Sequence, residues 1–262
     1  MIHSTAIISP SAQLAPDVQV GPYAVIEAHV TLGPGCVVGP FVHLTGHTTL
    51  GARNSIHAGA VIGDTPQDLK YKGEPTRLVI GDDNVIREHA TIHCSTKEDT
   101  ATTIGSHCFI MGNAHIGHDV QVKDHAILCN GIAIAGFAVI GERAFLSANS
   151  LVHQFCRVGP LALLQGGAAV SKDVPPFCIA TGINSICGLN TIGLRRGGFA
   201  AEQRAELKRF YHLLFLSGKL RRDALAEAAV VPAGAAAKQL LDFVAASTRG
   251  VCGHVSDPHQ GE

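Results

Sequence analysis

Every sixth residue from Ile2 onward is a branched aliphatic, with two interruptions. The series reads Ile2, Ile8, Leu14, Val20, Ile26, Leu32, Val38, Leu44, Leu50, Ile56 and Ile62, pauses at Asp68 and Glu74, and resumes at Ile80, Ile86 and Ile92. It pauses again at Glu98, then runs from Ile104 through Ile110, Ile116, Val122, Leu128, Ile134, Ile140, Leu146, Val152, Val158 and Leu164 to Val170. Two residues before these positions the side chain is usually small, as at Ala24, Cys36, Ala60, Ala114 and Ala138. One residue after them glycine is frequent, as at Gly21, Gly39, Gly117 and Gly141. The pattern reads as a short strand with alternate side chains inward, followed by a sharp turn. The small residue fits the tight corner, the branched one fills the middle, and glycine is expected to supply unusual dihedrals at the bend. Three such strands close one coil, and stacked coils hydrogen-bond along the axis.

The interruptions at 64–78 and 93–103 are polar and rich in turn residues, and both read as loops extruded from the coils, where function is commonly carried. After Val170 the repeat decays through Asp173-Val174-Pro175-Pro176-Phe177, where two prolines should end regular structure. From about Ala200 the spacing turns helical, with Leu207, Phe210, Tyr211, Leu214 and Phe215 on one stripe, and a second helical stretch covers 234–248. The expected organisation is a β-helix over 1–190, a helical domain over 191–252 and a disordered tail over 253–262. The segment 195–222 is basic, either as a solvated helical face or as a docking surface for an acidic partner.

Composition narrows the function classes. Lys plus Arg number 20 against 21 Asp plus Glu, so net charge gives no hint of a nucleic-acid partner. Aromatics make up only 5% and tryptophan is absent, which suits a core of thin aliphatic layers. The eight cysteines form no C-x-x-C pair, which removes zinc-ribbon and thioredoxin readings. Several share the repeat position of Ala and Val, so they read as small buried hydrophobes in a reduced, cytosolic compartment. No export signal opens the chain and no run of about 18 apolar residues spans a membrane.

Gly112-Asn113-Ala114-His115-Ile116-Gly117-His118-Asp119 is the segment with the clearest chemistry. Ile116 points inward, which leaves His118 near the turn, facing solvent or a neighbouring subunit. Asp119 beside it can bond one ring nitrogen, fix the tautomer and leave the other nitrogen to accept a proton. No G-x-S-x-G elbow supports a serine hydrolase. His93, His115, His118, His125 and His153 supply enough ligands for zinc, but their spacing singles out no triad.

The hexapeptide pattern resembles that of left-handed parallel β-helices, and the handedness rests on that resemblance. GDTPQDLKYKGEPTRLVIGDDNVIRE (63–88), NAHIGHD (113–119), VHQFCRVG (152–159), DVPPF (173–177) and GLRRGGF (193–199) resemble, in the same order, the bacterial UDP-N-acetylglucosamine O-acyltransferases of lipid A synthesis. The resemblance implies an all-β left-handed parallel β-helix with a C-terminal α-helical domain, assembled as a homotrimer. It implies transfer of a 3-hydroxyacyl chain from acyl carrier protein to the sugar 3-hydroxyl, without a cofactor or metal. In that frame His118 is the general base, Asp119 orients it, and the Gly136 N–H is the oxyanion donor. Asp68 and Lys70 fall on substrate-contacting positions, Gln67 on a nucleotide contact, and His93 and His115 on pocket positions. His153, Gln154, Asn190 and Arg196 fall on the nucleotide side, where Arg196 is suited to a diphosphate. Read alone, His153 serves equally as a turn cap and Lys70 as a solvated loop charge. Gly166 falls on the position that limits acyl length; lacking a side chain, it implies a longer chain, which Leu163 nearby could shorten.

Three residues depart from the family pattern: Phe137 replaces a histidine after the oxyanion glycine, Ile192 a glutamate, and Gly197 the second arginine of a basic doublet. These keep open a 3-amino UDP-sugar acceptor or a paralogue with altered sugar-nucleotide choice. An N-acyltransferase of the same pathway would carry an additional N-terminal domain, whereas here the repeat starts at Ile2. Two further alternatives are a zinc-dependent γ-type carbonic anhydrase and a catalytically inert β-helix serving assembly.

Overall fold

Strands mostly two residues long follow one another at six-residue intervals, and each pairs in parallel with the strand eighteen residues on: Ile7 with Val25, Gln13 with Thr31, Gln19 with Val37. These ladders form three sheets of nine, eight and eleven strands in a computed structural model that describes residues 1–255. We call them the first, second and third faces, opening with Ile7–Ile8, Gln13–Leu14 and Gln19–Val20. One strand per face in each turn makes the chain a parallel β-helix, left-handed in keeping with its hexapeptide repeats. Every aliphatic of the six-residue series from Val20 to Val170 is at most 3% exposed, inside the prism. Ile2 is 56% exposed because no coil lies beneath the first one.

The loops preserve the phase because they are whole hexads. Val61 pairs with Thr91, thirty residues on, and Thr91 with His115, twenty-four on, where an ordinary coil takes eighteen. The first insertion therefore adds two hexads and the second adds one. Both loops are narrower than their composition suggests. Asp64 ends the strand Val61–Asp64, His93 ends Thr91–His93, and the strands Arg77–Ile80 and Ala101–Ile104 pair with each other. Leu78 and Thr102 are buried in those strands, so an inward-facing period of two lay hidden in polar sequence.

Glycine after the aliphatic position has a different reason from the expected one. Of the glycines at this position, Gly63 alone has a positive φ; the left-handed residue falls two places later, as at Asp119 (φ 58°), His125 (φ 60°) and Phe137 (φ 62°). What requires glycine is close approach between coils: a Cβ on Gly141 would stand 2.5 Å from the Pro160 nitrogen. Between these two places lies a residue whose N–H faces away from the ladder. Proline is tolerated there, at Pro22, Pro34, Pro40 and Pro160.

The prolines at 175 and 176 do not end the prism. Cys178–Thr181 adds one more rung to the third face, and Ser185–Leu189 folds back on it antiparallel. Four helices follow: α1 (Thr191–Arg196), α2 (Ala201–Phe215), α3 (Arg221–Ala229) and α4 (Ala235–Ala245). α2 buries Leu207, Phe210, Tyr211 and Leu214, as its periodicity predicts, and α4 buries Ala237, Leu240 and Val244 within the 234–248 stretch. α1 and α3 carry too few apolar residues to be read from periodicity. The chain then returns to the prism: Gly253–His254 pairs with Ser185–Ile186. The first residues of the expected tail are thus a strand, held because the third face offers an open edge; residues 256–262 lie outside the described ones. Buried Asp173 joins the two parts, accepting from Arg157 Nη2 at 2.7 Å and from Ser247 Oγ at 2.9 Å.

Candidate active site

The edge where the first face turns into the second carries most of the polar chemistry. Both inserted loops leave from it, and so do the turns that hold His118, Gly136 and Gln154. His118 follows the strand His115–Ile116, and Asp119 takes the left-handed position, which Asp adopts more readily than most residues. Their side chains meet, with His118 Nδ1 3.0 Å from Asp119 Oδ2. An ionised carboxylate only accepts, so Nδ1–H donates and Nε2 keeps its lone pair. The imidazole is 14% exposed at the surface of the prism.

Gly136 lies one coil above, and a Cβ there would stand 2.6 Å from His118 Nε2. Only glycine leaves room for the ring. Gly136 also sits at the turn position that elsewhere accepts proline, so its N–H takes no part in the coil-to-coil ladder among the described residues. Phe137 packs edge-to-face on the His118 ring, centroids 5.2 Å apart, and stacks on Phe155 at 4.8 Å. A residue that cannot hydrogen-bond thus shields one side of the base from water.

His93 lies one coil below His118 and His115 on the strand that leads into it, ring centroids 5.0 Å apart. His115 Nδ1 is bonded to Thr91 Oγ1 at 2.8 Å, whereas buried His93 Nδ1 has no partner among the described residues. Burial holds both imidazoles below their ordinary pKa, reinforced at His93 by His115 and His118 and opposed by Asp64. Asp68 turns inward on its own loop, accepting from the Lys70 N–H at 2.9 Å, while Gln67 and Lys70 are exposed. His153 and Gln154 share the edge further along, with Arg249 Nη2 3.4 Å from His153 Nδ1.

The remaining candidates lie elsewhere. Leu163, Asn190 and Arg196 line a pocket of about 560 Å³ on the third face with Arg143, Ile192 and Gly197. Asn190 is already engaged: it caps α1 by accepting from the Gly193 N–H at 2.9 Å and donates to the Leu161 carbonyl at 2.9 Å. Gly166 occupies the turn from the third face to the first, where a Cβ would meet only the Ala148 carbonyl oxygen, at 3.5 Å. One protomer does not bring this group to His118.

Periodicity missed the residues that hold Asp119. Thr96 donates to Oδ2 from its N–H (3.0 Å) and hydroxyl (2.7 Å), and Thr100 Oγ1 lies 3.0 Å from Oδ1. The Asp119 N–H donates to Thr102 Oγ1 at 2.8 Å. Thr102 sits at the small inward position of the repeat, a polar residue where Ala is usual, which was a readable signal. Thr96 and Thr100 lie in an aperiodic loop and gave none. Buried thiols offer no alternative nucleophile, since burial pushes Cys94 and Cys108 up to about 11.

A left-handed β-helix of hexapeptide repeats with an oriented imidazole on its edge defines a hexapeptide-repeat transferase. Comparison with known proteins agrees and goes further. The family model described as bacterial transferase hexapeptide (six repeats) matches residues 29–64 and 101–131, and the UDP-N-acetylglucosamine O-acyltransferase domain 2 model matches 173–252. The acyl-[acyl-carrier-protein]--UDP-N-acetylglucosamine O-acyltransferase of Thiobacillus denitrificans is 50% identical, covering 95% of this chain and 98% of its own. Among solved structures, the UDP-N-acetylglucosamine acyltransferase of Campylobacter jejuni superposes with a TM-score of 0.92 at 32% identity, covering 97% of this chain and all of its own. That of Arabidopsis gives 0.84 at 34% identity, covering 96% and 100%. The chain belongs to the UDP-N-acetylglucosamine O-acyltransferase family. That membership sets aside the γ-type carbonic anhydrase reading.

Proposed function

We infer that the chain moves a 3-hydroxyacyl group from acyl carrier protein to the 3-hydroxyl of UDP-N-acetylglucosamine. The observation that carries this reading is the His118 imidazole, bonded through Nδ1 to Asp119 and seated against Gly136. The reactions printed in the names of full-length relatives at about half identity support it. His118 Nε2 takes the proton of the attacking hydroxyl as the new C–O bond forms at the thioester carbonyl. The Gly136 N–H faces the oxygen that gains charge. Collapse of the tetrahedral intermediate breaks the C–S bond, and the imidazolium returns its proton to the departing thiolate. A thioester is already activated, so this route draws on no cofactor, metal or acyl-enzyme.

The acceptor's diphosphate is assigned to Arg196, with Gln67, Asp68, Lys70, His93, His115, His153 and Gln154 contributing contacts from the His118 edge. An apolar groove of about 330 Å³ begins beside Ala135 on the first face, lined by Ala133, Leu151, Ala169 and Ile183. It offers an acyl chain a dry surface, and Gly166 leaves the neighbouring turn open, which favours long chains. A site that uses both the His118 edge and the Arg196 pocket must draw them from two protomers, which favours a ring of three prisms. No helix among the described residues is long and apolar enough to cross a membrane. With an acyl carrier protein as donor, this favours work in the cytoplasm.

The test is mass-spectrometric assay of the full chain with a panel of 3-hydroxyacyl carrier proteins and either UDP-N-acetylglucosamine or its 3-amino analogue. The expected product is the O-acyl sugar nucleotide, with longer donors preferred. His118→Ala should lower kcat by about 10²–10⁴ without changing the melting curve. Undiminished turnover in that variant would remove the mechanism, and acylation of the amino analogue alone would reassign the acceptor.

A further inference from the structure

The loop at 94–100, in the coil that carries the single inserted hexad, is anchored by hydrogen bonds. Buried Ser95 pins it at both ends: its hydroxyl donates to the Thr100 carbonyl at 2.8 Å and accepts from the Arg77 N–H at 3.2 Å. From that anchored loop three donors converge on one carboxylate. Thr96 supplies its N–H and hydroxyl to Asp119 Oδ2, and Thr100 offers its hydroxyl to Oδ1, shared with the Lys97 carbonyl at 3.0 Å. The base of the carboxylate is held as well, through the Asp119 N–H on Thr102. Asp119 is 9% exposed as a residue, and without these partners a buried charge at that place would be costly.

We propose that Thr96 and Thr100 are positioning residues, and that the inserted loop is a clamp that sets the plane and charge of Asp119 and through it the basicity of His118. The argument is geometric. A left-handed turn residue with a two-bond side chain can aim its carboxylate in several directions, and His118 alone supplies one hydrogen bond to it. The threonines fix the aim so that Oδ2 lies where Nδ1–H points. They also draw charge from the carboxylate, which weakens its pull on an imidazolium. The other ionisable groups near the dyad are His115 on the same coil, His93 and Asp64 from the coils below, and Lys97, Glu98 and Asp99 on the exposed rim of the loop; Phe137 above is uncharged.

The role in turnover rests on the acyl-transfer reading, so the test has an arm that needs no turnover. In the full chain with ¹⁵N-labelled histidine, the His118 titration midpoint should rise in Thr96→Val/Thr100→Val, because the carboxylate keeps more of its charge for the imidazolium. Thr96→Ser, which keeps the hydroxyl, should restore it. Kinetically, Thr96→Val should lower kcat about tenfold with KM for the sugar nucleotide unchanged, and move the acid limb of the kcat/KM profile to higher pH. In an Asp119→Ala background the same substitution should cost nothing further. An unmoved titration midpoint, or losses that simply add in the double variant, would overturn the clamp. Loss of turnover in the parent chain with the midpoint shift intact would instead count against the acyl-transfer reading alone.

Discussion

At the scale of single residues, the two imidazoles beside the base resist becoming charged. His93 and His115 are held below their ordinary pKa chiefly by burial, and each would repel a charged His118. The sign of the consequence follows. Below about 6.5 the unfolded chain binds protons at these rings that the folded chain resists, so their contribution is present above that pH and lost as pH falls. The melting temperature should drop between about pH 7 and about pH 5.5, and His93→Gln should drop less. Equal losses in parent and variant would mean that His93 is not the group being titrated. The same fall in pH would place charge on a ring next to the base, so activity and stability should decline together on the acid side.

At the scale of the coil, the structural rule concerns approach more than dihedral freedom. Consecutive coils are drawn together by ladder hydrogen bonds, and where glycine follows the inward aliphatic, as at Gly33, Gly39 and Gly141, it lies under the backbone of the next coil. Gly141→Ala would press a methyl group against the Gly159 carbonyl carbon and the Pro160 nitrogen, backbone atoms that cannot swing aside. The expected cost is about 1–3 kcal/mol, read as a lower urea midpoint with an unchanged m value. Gly253→Ala, whose Cβ would meet nothing within 4 Å, should leave the midpoint in place. If both variants behaved alike, crowding between coils would not be the reason for glycine. Gly136, one coil above His118, is crowded instead by that side chain from below, so the site too requires glycine for close approach.

At the scale of the whole molecule, the His118 edge and the Arg196 pocket lie on different sides of one prism. If the site joins them across protomers, His118→Ala and Arg196→Ala chains, each impaired alone, should regain activity when refolded together. A mixed oligomer of that kind would contain junctions in which the intact edge of one chain meets the intact pocket of another, so the recovered activity should be a fraction of the parent's. Absence of any recovery in verified mixed oligomers would place the whole site within one protomer. Arg157 and Asp173 tie the helical part to the prism, which keeps the Arg196 pocket in a fixed relation to the third face.

The six-residue series determined the prism, the inward residues and the phase across both insertions, because a repeating pattern reports directly which side chains face the core. The His118-Asp119 pair is legible in the sequence itself, the family resemblance attaches the role of base to it, and neighbours at a turn remain neighbours in space. Only the tertiary structure decided how Asp119 is held, since Thr96 and Thr100 lie about twenty residues away in a loop without periodicity and reach it because stacked coils place distant segments side by side. The same stacking decided that Gly253 and His254 belong to a sheet, that Asn190 is committed to a helix cap, and that His93 Nδ1 has no partner among the described residues. Sequence spacing records what a residue does for its own coil; what it does for the coil above becomes visible only once the coils are stacked.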